Sequence, residues 1–132
     1  DFDALTTRHP EFGDGWYSKG LLLAEMGRTD DAREALEQAA RLLPERGRVH
    51  YNLGAVYDAL DRPQDAERAY LEANRLAPNS PQTLDAMVNL YMRTEQWTQA
   101  ERWLLVLLQV DRTRTEELFA LVREVRRKAR GG

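Results

Sequence analysis

The side chains that most often perform catalysis are scarce in this sequence and widely separated. The histidines are His9 and His50, the serines are Ser18 and Ser80, and cysteine is absent. A metal site needs three or four convergent ligands, and a Ser-His-Asp triad needs three groups in hydrogen-bonding contact. We therefore expect no catalytic residue, no metal site and no cofactor, and we expect His50 to be a half-buried residue of a helix.

Carboxylates and glycines follow structural patterns. Asp30 and Asp31 stand where a helix is expected to begin, and the helix dipole favours negative charge at that end. Gly13 and Gly15 lie at the start of another expected helix with no strand before them, so they do not form a glycine-rich phosphate loop. These residues indicate a protein that is not an enzyme.

Composition narrows the classes of partner. The chain has 132 residues, of which 19 are basic and 22 acidic, for a net charge of −3. A net negative charge gives no general attraction to nucleic acid or to an anionic membrane. The longest apolar run, residues 103–108, is far shorter than the ~18–20 residues that span a bilayer. We expect a soluble protein without membrane insertion or a nucleic-acid ligand, and the composition leaves cytoplasm and periplasm open.

One basic cluster stands out near the C-terminus. It comprises Arg114, Arg123, Arg126, Arg127, Lys128 and Arg130, against Glu116, Glu117 and Glu124. Such a cluster is either a contact for a phosphate, a lipid head group or nucleic acid, or the solvated face of a last helix, whose late cations suit the C-terminal dipole. The solvated face is our expectation.

The elements that must position these side chains follow from an internal repeat. Pro10, Pro44 and Pro78 recur at a constant interval, which also separates Ala32, Ala66 and Ala100 and places Gly20 on Gly54. We call this interval the repeat length. Recurring positions such as His50, Leu53, Gly54 and Tyr57 are spaced 3, 1 and 3 apart. That spacing places them on one stripe of an α-helix, whereas a strand would require alternation.

The repeated residues resemble a known motif. They read Trp16-x3-Gly20-x2-Leu23, Ala32-x3-Leu36, Pro44 in the first repeat and Leu53-Gly54-x2-Tyr57, Ala66-x3-Tyr70, Pro78 in the second. This pattern resembles the tetratricopeptide repeat (TPR), a helix-turn-helix of about 34 residues. Departures are Lys19 before Gly20, His50 in the tryptophan column, Val88 in the second glycine column and Arg112 in the proline column.

The resemblance implies an all-α fold, a right-handed α-solenoid of three TPR helix-turn-helix units plus a C-terminal capping helix. Residues 13–114 divide into repeats 13–46, 47–80 and 81–114, followed by a capping helix and tail at 115–132. Phe2 and Leu5 stand one repeat length before Leu36 and Ala39, so residues 1–12 are expected to be the end of a preceding repeat's second helix and its connector. We therefore expect the chain to be a segment of a longer protein.

Residue types also predict where the helices begin and end. Ser80 before Pro81 suits an N-cap followed by the first helical residue. Pro44 and Pro78 are expected to stop the second helices, because the residue before proline is pushed out of the α region. Thr113 with Glu116 has the spacing of a capping box, so a last helix should start there. Small residues at Gly20, Gly54, Ala32, Ala66 and Ala100 should let paired helices approach closely.

In proteins similar to TPR domains, the first helices line a concave groove that binds partners. The corresponding groove residues here are Tyr17, Leu21, Arg48, Tyr51, Asn52, Ala55, Asp58, Asp85, Asn89, Met92 and Arg93. Asn52 and Asn89 suit the backbone of an extended peptide, and Asp58 and Asp85 favour a neutral or basic ligand over an acidic one. Some TPR domains hold a chaperone tail with a Lys/Asn/Asn/Lys/Arg set, of which only Asn52 is matched here, so that ligand is rejected.

A second surface is suggested by the helix expected over residues 97–110, which is apolar almost all round. Such a helix is normally buried. Packing against the last helix would satisfy it; otherwise Leu105 and Val106 form an association patch for a second copy or for an upstream domain of the same chain. The leading hypothesis is a scaffold that binds a protein or peptide ligand. The alternatives are an accessory domain of a larger bacterial enzyme or electron-transfer protein, and self-assembly into a homo-oligomer.

Overall fold

The computed structural model of the chain describes residues 12–131. Within this range there are seven α-helices, one short 3₁₀ turn and no strand. The helices are α1 (Gly13–Glu25), α2 (Thr29–Leu42), α3 (Gly47–Ala59), α4 (Pro63–Leu76), α5 (Pro81–Arg93), α6 (Trp97–Val110) and α7 (Thr115–Ala129). The expected end of a preceding repeat, residues 1–12, lies outside the described residues except for Phe12. The prediction of an all-α fold made of helix pairs is confirmed.

The helices form two compact units, unit 1 with the described residues up to Leu76 and unit 2 with those from Ala77 onward. In unit 1, α1 packs against α2, α2 against α3, and α3 against α4. In unit 2, α5 packs against α6, and α6 packs against α7. Helices that are consecutive in sequence are thus neighbours in each unit, as short connections require.

The turn inside each helix pair has the same backbone conformation at the same repeat position. Gly27, Asp61 and Glu95, each one repeat length after the last, adopt positive φ values of 78°, 58° and 58°. The amide of the next residue then donates back to the helix, as from Arg28 to the Leu23 carbonyl at 2.9 Å. This arrangement is the left-handed helix stop that glycine adopts without strain and that other residues adopt at a cost.

Most of the predicted helix ends are confirmed. α2 and α4 end two residues before Pro44 and Pro78. α5 begins at Pro81 with Ser80 as its N-cap residue, although the serine hydroxyl makes no capping hydrogen bond.

The capping box predicted at Thr113 is wrong. Residues 112–114 form a 3₁₀ turn, and α7 begins at Thr115 without a side-chain cap. The physical reason is a competing acceptor, because both the backbone amide and the hydroxyl of Thr113 donate to the Asp111 carboxylate. The Thr113 oxygen is therefore engaged outside the helix.

Small residues bring the paired helices together, as expected. A Cβ added to Gly20 would lie 2.7 Å from Cγ of Leu36, and one added to Gly54 would lie 2.7 Å from the ring of Tyr70. Ala32, Ala66 and Ala100 are fully buried. The close contacts in unit 1 therefore place α1 and α3 directly on their partner helices.

The last helix buries one face on its unit. Leu118, Val122 and Val125 of α7 are buried, and α7 packs against α6, where Leu104 and Leu107 are fully buried. α7 has one apolar side and an opposite side rich in exposed charge. That division is typical of a helix that covers a core and faces water.

Candidate functional site

The residues predicted to bind a partner all belong to the first helix of a pair, and none of them is buried. We call this set the first-helix face; it comprises Tyr17 and Leu21 on α1, Arg48, Tyr51, Asn52, Ala55 and Asp58 on α3, and Asp85, Asn89, Met92 and Arg93 on α5. The first seven belong to unit 1 and the last four to unit 2.

In unit 1, a hydrogen bond joins the faces of α1 and α3. Nδ2 of Asn52 donates to the Tyr17 hydroxyl at 3.0 Å and to the carbonyl oxygen of Arg48 at 2.8 Å. The two N–H groups of the amide are thereby engaged within the chain. The amide oxygen is then the Asn52 group suited to a ligand, since it accepts hydrogen bonds. Asn52 was predicted from its repeat position, whereas its hydrogen bond to Tyr17 was not.

An aromatic pair supports the same face. The rings of Tyr51 on α3 and Tyr70 on α4 have their centroids 5.9 Å apart with planes inclined at 48°. Tyr70 is buried against Gly54, whereas Tyr51 is only partly buried. A ring held on one side by a buried ring is a rigid apolar contact for a ligand on its other side.

In unit 2, the charge of Asp85 is compensated. Arg114 donates to both carboxylate oxygens of Asp85, at 3.0 and 2.8 Å, and also to the carboxylate of Glu117. Hydrogen bonds from Arg114 to Glu117 and Asp85 raise the pKa of its guanidinium. The negative potential expected around Asp85 is therefore offset by a cation placed just before α7, a relationship that sequence distance concealed.

A hydrogen-bonded tyrosine lies outside the predicted set. The Tyr57 hydroxyl on α3 donates to the Glu37 carboxylate on α2, and Arg33 also donates to Glu37 at 2.9 Å. Burial, with the Glu37 bond and charge, raises the pKa of Tyr57 from 10.0 to about 12. A phenol that stays protonated serves as a structural donor between two repeats, and the tyrosine column of the repeat was the only signal for it.

His50 has a structural partner. Its Nε2 lies 3.1 Å from the carbonyl oxygen of Pro44, and the ring borders a cavity of about 340 Å³ that is also lined by Tyr57, Asp65 and Glu72. The pKa of Glu72 is lowered, chiefly by its hydrogen bond from Arg75. Within residues 12–131, no group of three His, Asp or Glu side chains is arranged to hold a metal ion. No helix of that same range has the length and apolar character to cross a membrane.

An exposed apolar surface on α1 was missed by the sequence analysis. Leu22 and Met26 are 50% and 58% exposed and border a cavity of about 370 Å³ with Trp16. Val56, at the position equivalent to Leu22, is only 7% exposed, and α2 packs against its helix. The shared repeat column of Leu22 and Val56 was the signal that this side of α1 is apolar.

The association patch on α6 is partly covered. Leu105 is 37% exposed, Val106 is half-buried, and their neighbours Leu104 and Leu107 are fully buried. Contact of α6 with α5 and α7 accounts for the buried side chains. The remaining apolar surface is centred on Leu105.

Comparison with known proteins agrees with this architecture. Two family models described as tetratricopeptide repeat match residues 17–81 and 83–118. No protein of curated function matches the sequence significantly.

Several solved structures are similar to the chain. The MamA protein has a TM-score of 0.85 at 17% identity, over 95% of this chain and 69% of that chain. The type III secretion chaperone SycD of Yersinia enterocolitica, in complex with a peptide of the translocator YopD, has a TM-score of 0.77 at 15% identity, over 88% and 93% of the two chains. The first TPR of Spaghetti (RPAP3), bound to the HSP90 peptide SRMEEVD, has a TM-score of 0.77 at 14% identity, over 89% and 92%. At these identities the likeness establishes the fold.

Proposed function

Because the chain belongs to the tetratricopeptide repeat family, we propose that it is a non-enzymatic scaffold that binds a peptide or helix of another protein on its first-helix face. The observation that carries the proposal is the hydrogen bond between Asn52 and Tyr17, which joins successive repeats at a partly exposed place. A ligand at this place meets aromatic and amide groups that are already ordered. Preordered groups lose little conformational freedom on binding, which favours recognition.

The side chains of the face suit a peptide backbone with apolar anchors. In unit 1, Tyr51 is supported by Tyr70 and offers apolar surface. In unit 2, the half-buried Met92 offers apolar surface and Asn89 is exposed on α5. Amide groups both donate and accept, so Asn89 can pair with the backbone of an extended segment. Aromatic side chains at such places commonly contribute most of the binding free energy.

The similar structures support this proposal. SycD was solved with a peptide of YopD, and the RPAP3 TPR was solved with an HSP90 peptide. Peptide binding is thus compatible with a fold of this kind. The peptide bound by this chain has its own chemistry, because only Asn52 matches the set of residues that holds chaperone tails in TPR domains.

The test is to select ligands from a displayed library of random peptides and to measure their affinity by calorimetry. Tyr51→Ala and Asn89→Ala should each weaken binding by roughly tenfold, as is typical of central contact residues. Leu71→Ala is the matched control, because Leu71 is 38% exposed but lies on the second helix α4. Equal affinities in all four proteins, with unchanged circular dichroism, would refute the proposed face.

The exposure of Leu105 favours a second candidate function, self-association through α6. A second copy would cover Leu105, which is 37% exposed, together with the half-buried Val106 beside it in sequence. Exposed apolar patches are typical of contact surfaces when they are contiguous.

A further inference from the structure

The exposed side of α7 continues the repeat columns of the first-helix face. One repeat length after Asp85, Asn89, Met92 and Arg93 stand Phe119, Arg123, Arg126 and Arg127. α7 is thus a first helix in register as well as in position along the chain. Where α5 has a mixture of polar and apolar side chains at these four positions, α7 has one aromatic side chain and three guanidinium groups.

Three of these side chains share one side of the helix with Arg130, the residue that directly follows α7. Phe119, Arg123, Arg126 and Arg130 are spaced 4, 3 and 4 apart, which places them on a single stripe. The buried face of α7 carries Leu118, Val122 and Val125 instead. Phe119 is 48% exposed, and the three arginines are exposed as well. We call these four residues the α7 basic stripe.

The charges around the stripe are unevenly placed. Nε of Arg126 donates a hydrogen bond of 3.1 Å to the carboxylate of Glu101 on α6. The carboxylate of Glu117 accepts a hydrogen bond from Arg114. Glu124 lies off the stripe, and Glu116 precedes it by one turn. Unit 2 contains nine of the chain's 19 basic and seven of its 22 acidic residues, whereas unit 1 contains ten and fifteen. The stripe is therefore a local positive surface on an acidic protein.

We propose that the α7 basic stripe binds an acidic segment of a protein partner, with an apolar side chain of that segment covering Phe119. This inference rests on the proposed function, to which it adds an acidic segment of the ligand at α7, whereas Asp58 on α3 is expected to favour a neutral or basic segment. Guanidinium groups pair with carboxylates in well-defined geometry, and complementary charge favours encounter and register. An exposed aromatic ring within the stripe adds an apolar anchor that a purely ionic surface lacks.

The size of the stripe favours a short peptide over a long polyanion. From Phe119 to Arg130 a helix rises by about 17 Å, which corresponds to roughly five extended residues. A nucleic acid would extend beyond so short a surface. A protein segment with a few carboxylates matches both the length and the charge.

The experiment measures fluorescence anisotropy of labelled probes with the full chain. The acidic probe is a peptide of repeated Glu-Glu-Leu, and its matched control is Lys-Lys-Leu of equal length. We expect the acidic probe to bind and to weaken about tenfold with Arg123→Glu plus Arg130→Glu, and with added salt. Phe119→Ser should weaken it several-fold, by roughly the transfer free energy of part of a ring. Arg102→Glu, an exposed arginine of α6, should leave it unchanged.

The inference would be overturned by no binding of the acidic probe, by equal binding of the two peptides, or by loss in Arg102→Glu to the same extent as in the stripe variant. Tighter binding of a single-stranded oligothymidine of matched charge would also overturn it, in favour of a nucleic-acid surface. Asn52→Ala separates the two proposals. Binding that depends on Arg123 but not on Asn52 supports the stripe alone, whereas dependence on Asn52 alone supports only the proposed face. Circular dichroism of every variant verifies that it is folded.

Discussion

The ring of Tyr70 lies against Gly54, so that a methyl group added to the glycine would lie 2.7 Å from Cδ1 and Cε1 of the ring. Both residues are buried, and each belongs to a different helix of the second pair. The contact places the α3 backbone on the α4 ring and thereby holds Tyr51, which packs on the same ring. The Tyr70 ring therefore both packs against Gly54 and supports Tyr51, the side chain proposed to contact a ligand.

Gly54→Ala should lower the free energy of unfolding despite the higher helix propensity of alanine. The added methyl group overpacks the Tyr70 ring at a cost of ~1–3 kcal/mol, against a propensity gain of ~1 kcal/mol. Urea unfolding measures the difference. In a Tyr70→Leu background, Gly54→Ala should lower the free energy of unfolding by less, since the terminal methyl groups of leucine can move away from the added methyl group. An identical cost in both backgrounds would show that the ring is not the obstacle.

Glu95→Gly should stabilise the protein. Glu95 adopts a φ of 58° at the turn between α5 and α6, where the first repeat has Gly27. Removing the left-handed strain returns ~1–2 kcal/mol, from which the greater freedom of glycine in the unfolded chain subtracts ~0.5–1 kcal/mol. The melting temperature should rise slightly. Gly27→Glu is the converse control and should lower it; a rise in both variants would contradict the strain argument.

Alkaline pH should destabilise the protein through Tyr57. Its pKa is raised from 10.0 to about 12 in the folded chain, so between these values the unfolded state releases a proton that the folded state retains. Stability from this group is complete below pH 10.0 and decreases as the pH rises to about 12. The free energy of unfolding of Tyr57→Phe should vary less over this interval. Parallel pH profiles of the two proteins would exclude Tyr57 as the cause.

The association patch predicts an effect on oligomeric state. Leu105→Glu combined with Val106→Glu places two carboxylates where a second copy would make apolar contact, so the variant should elute later than the parent in gel filtration. Gln109→Glu is the matched control, because Gln109 is exposed on the same helix. An unchanged elution volume of the double variant eliminates association through this face. Val106 is half-buried, so the single Leu105→Glu variant guards against unfolding.

The helices could be predicted from the sequence because the same residue types recur at the same positions of each repeat. Glycine and alanine columns predicted that paired helices approach closely, as they do at Gly20 and Gly54, and prolines predicted where α2 and α4 end. The failure at Thr113 has a local cause too, since Asp111 competes for its hydroxyl and amide. A capping pattern indicates which residues could form a capping hydrogen bond, but it does not indicate which of several competing acceptors is used.

The positions of the candidate site could be predicted from the sequence, but the hydrogen bonds and ion pairs of its side chains could not. The period of the repeat assigns Asn52, Tyr51 and Asp85 to first helices from sequence alone, because residue type and spacing determine which side of a helix is apolar. Only the tertiary structure decided that Asn52 bonds to Tyr17 and that Arg114 neutralises Asp85, pairs separated by 35 and 29 residues. Side-chain pairing over such separations depends on how the helices pack in three dimensions. The periodicity of the sequence does not specify that packing.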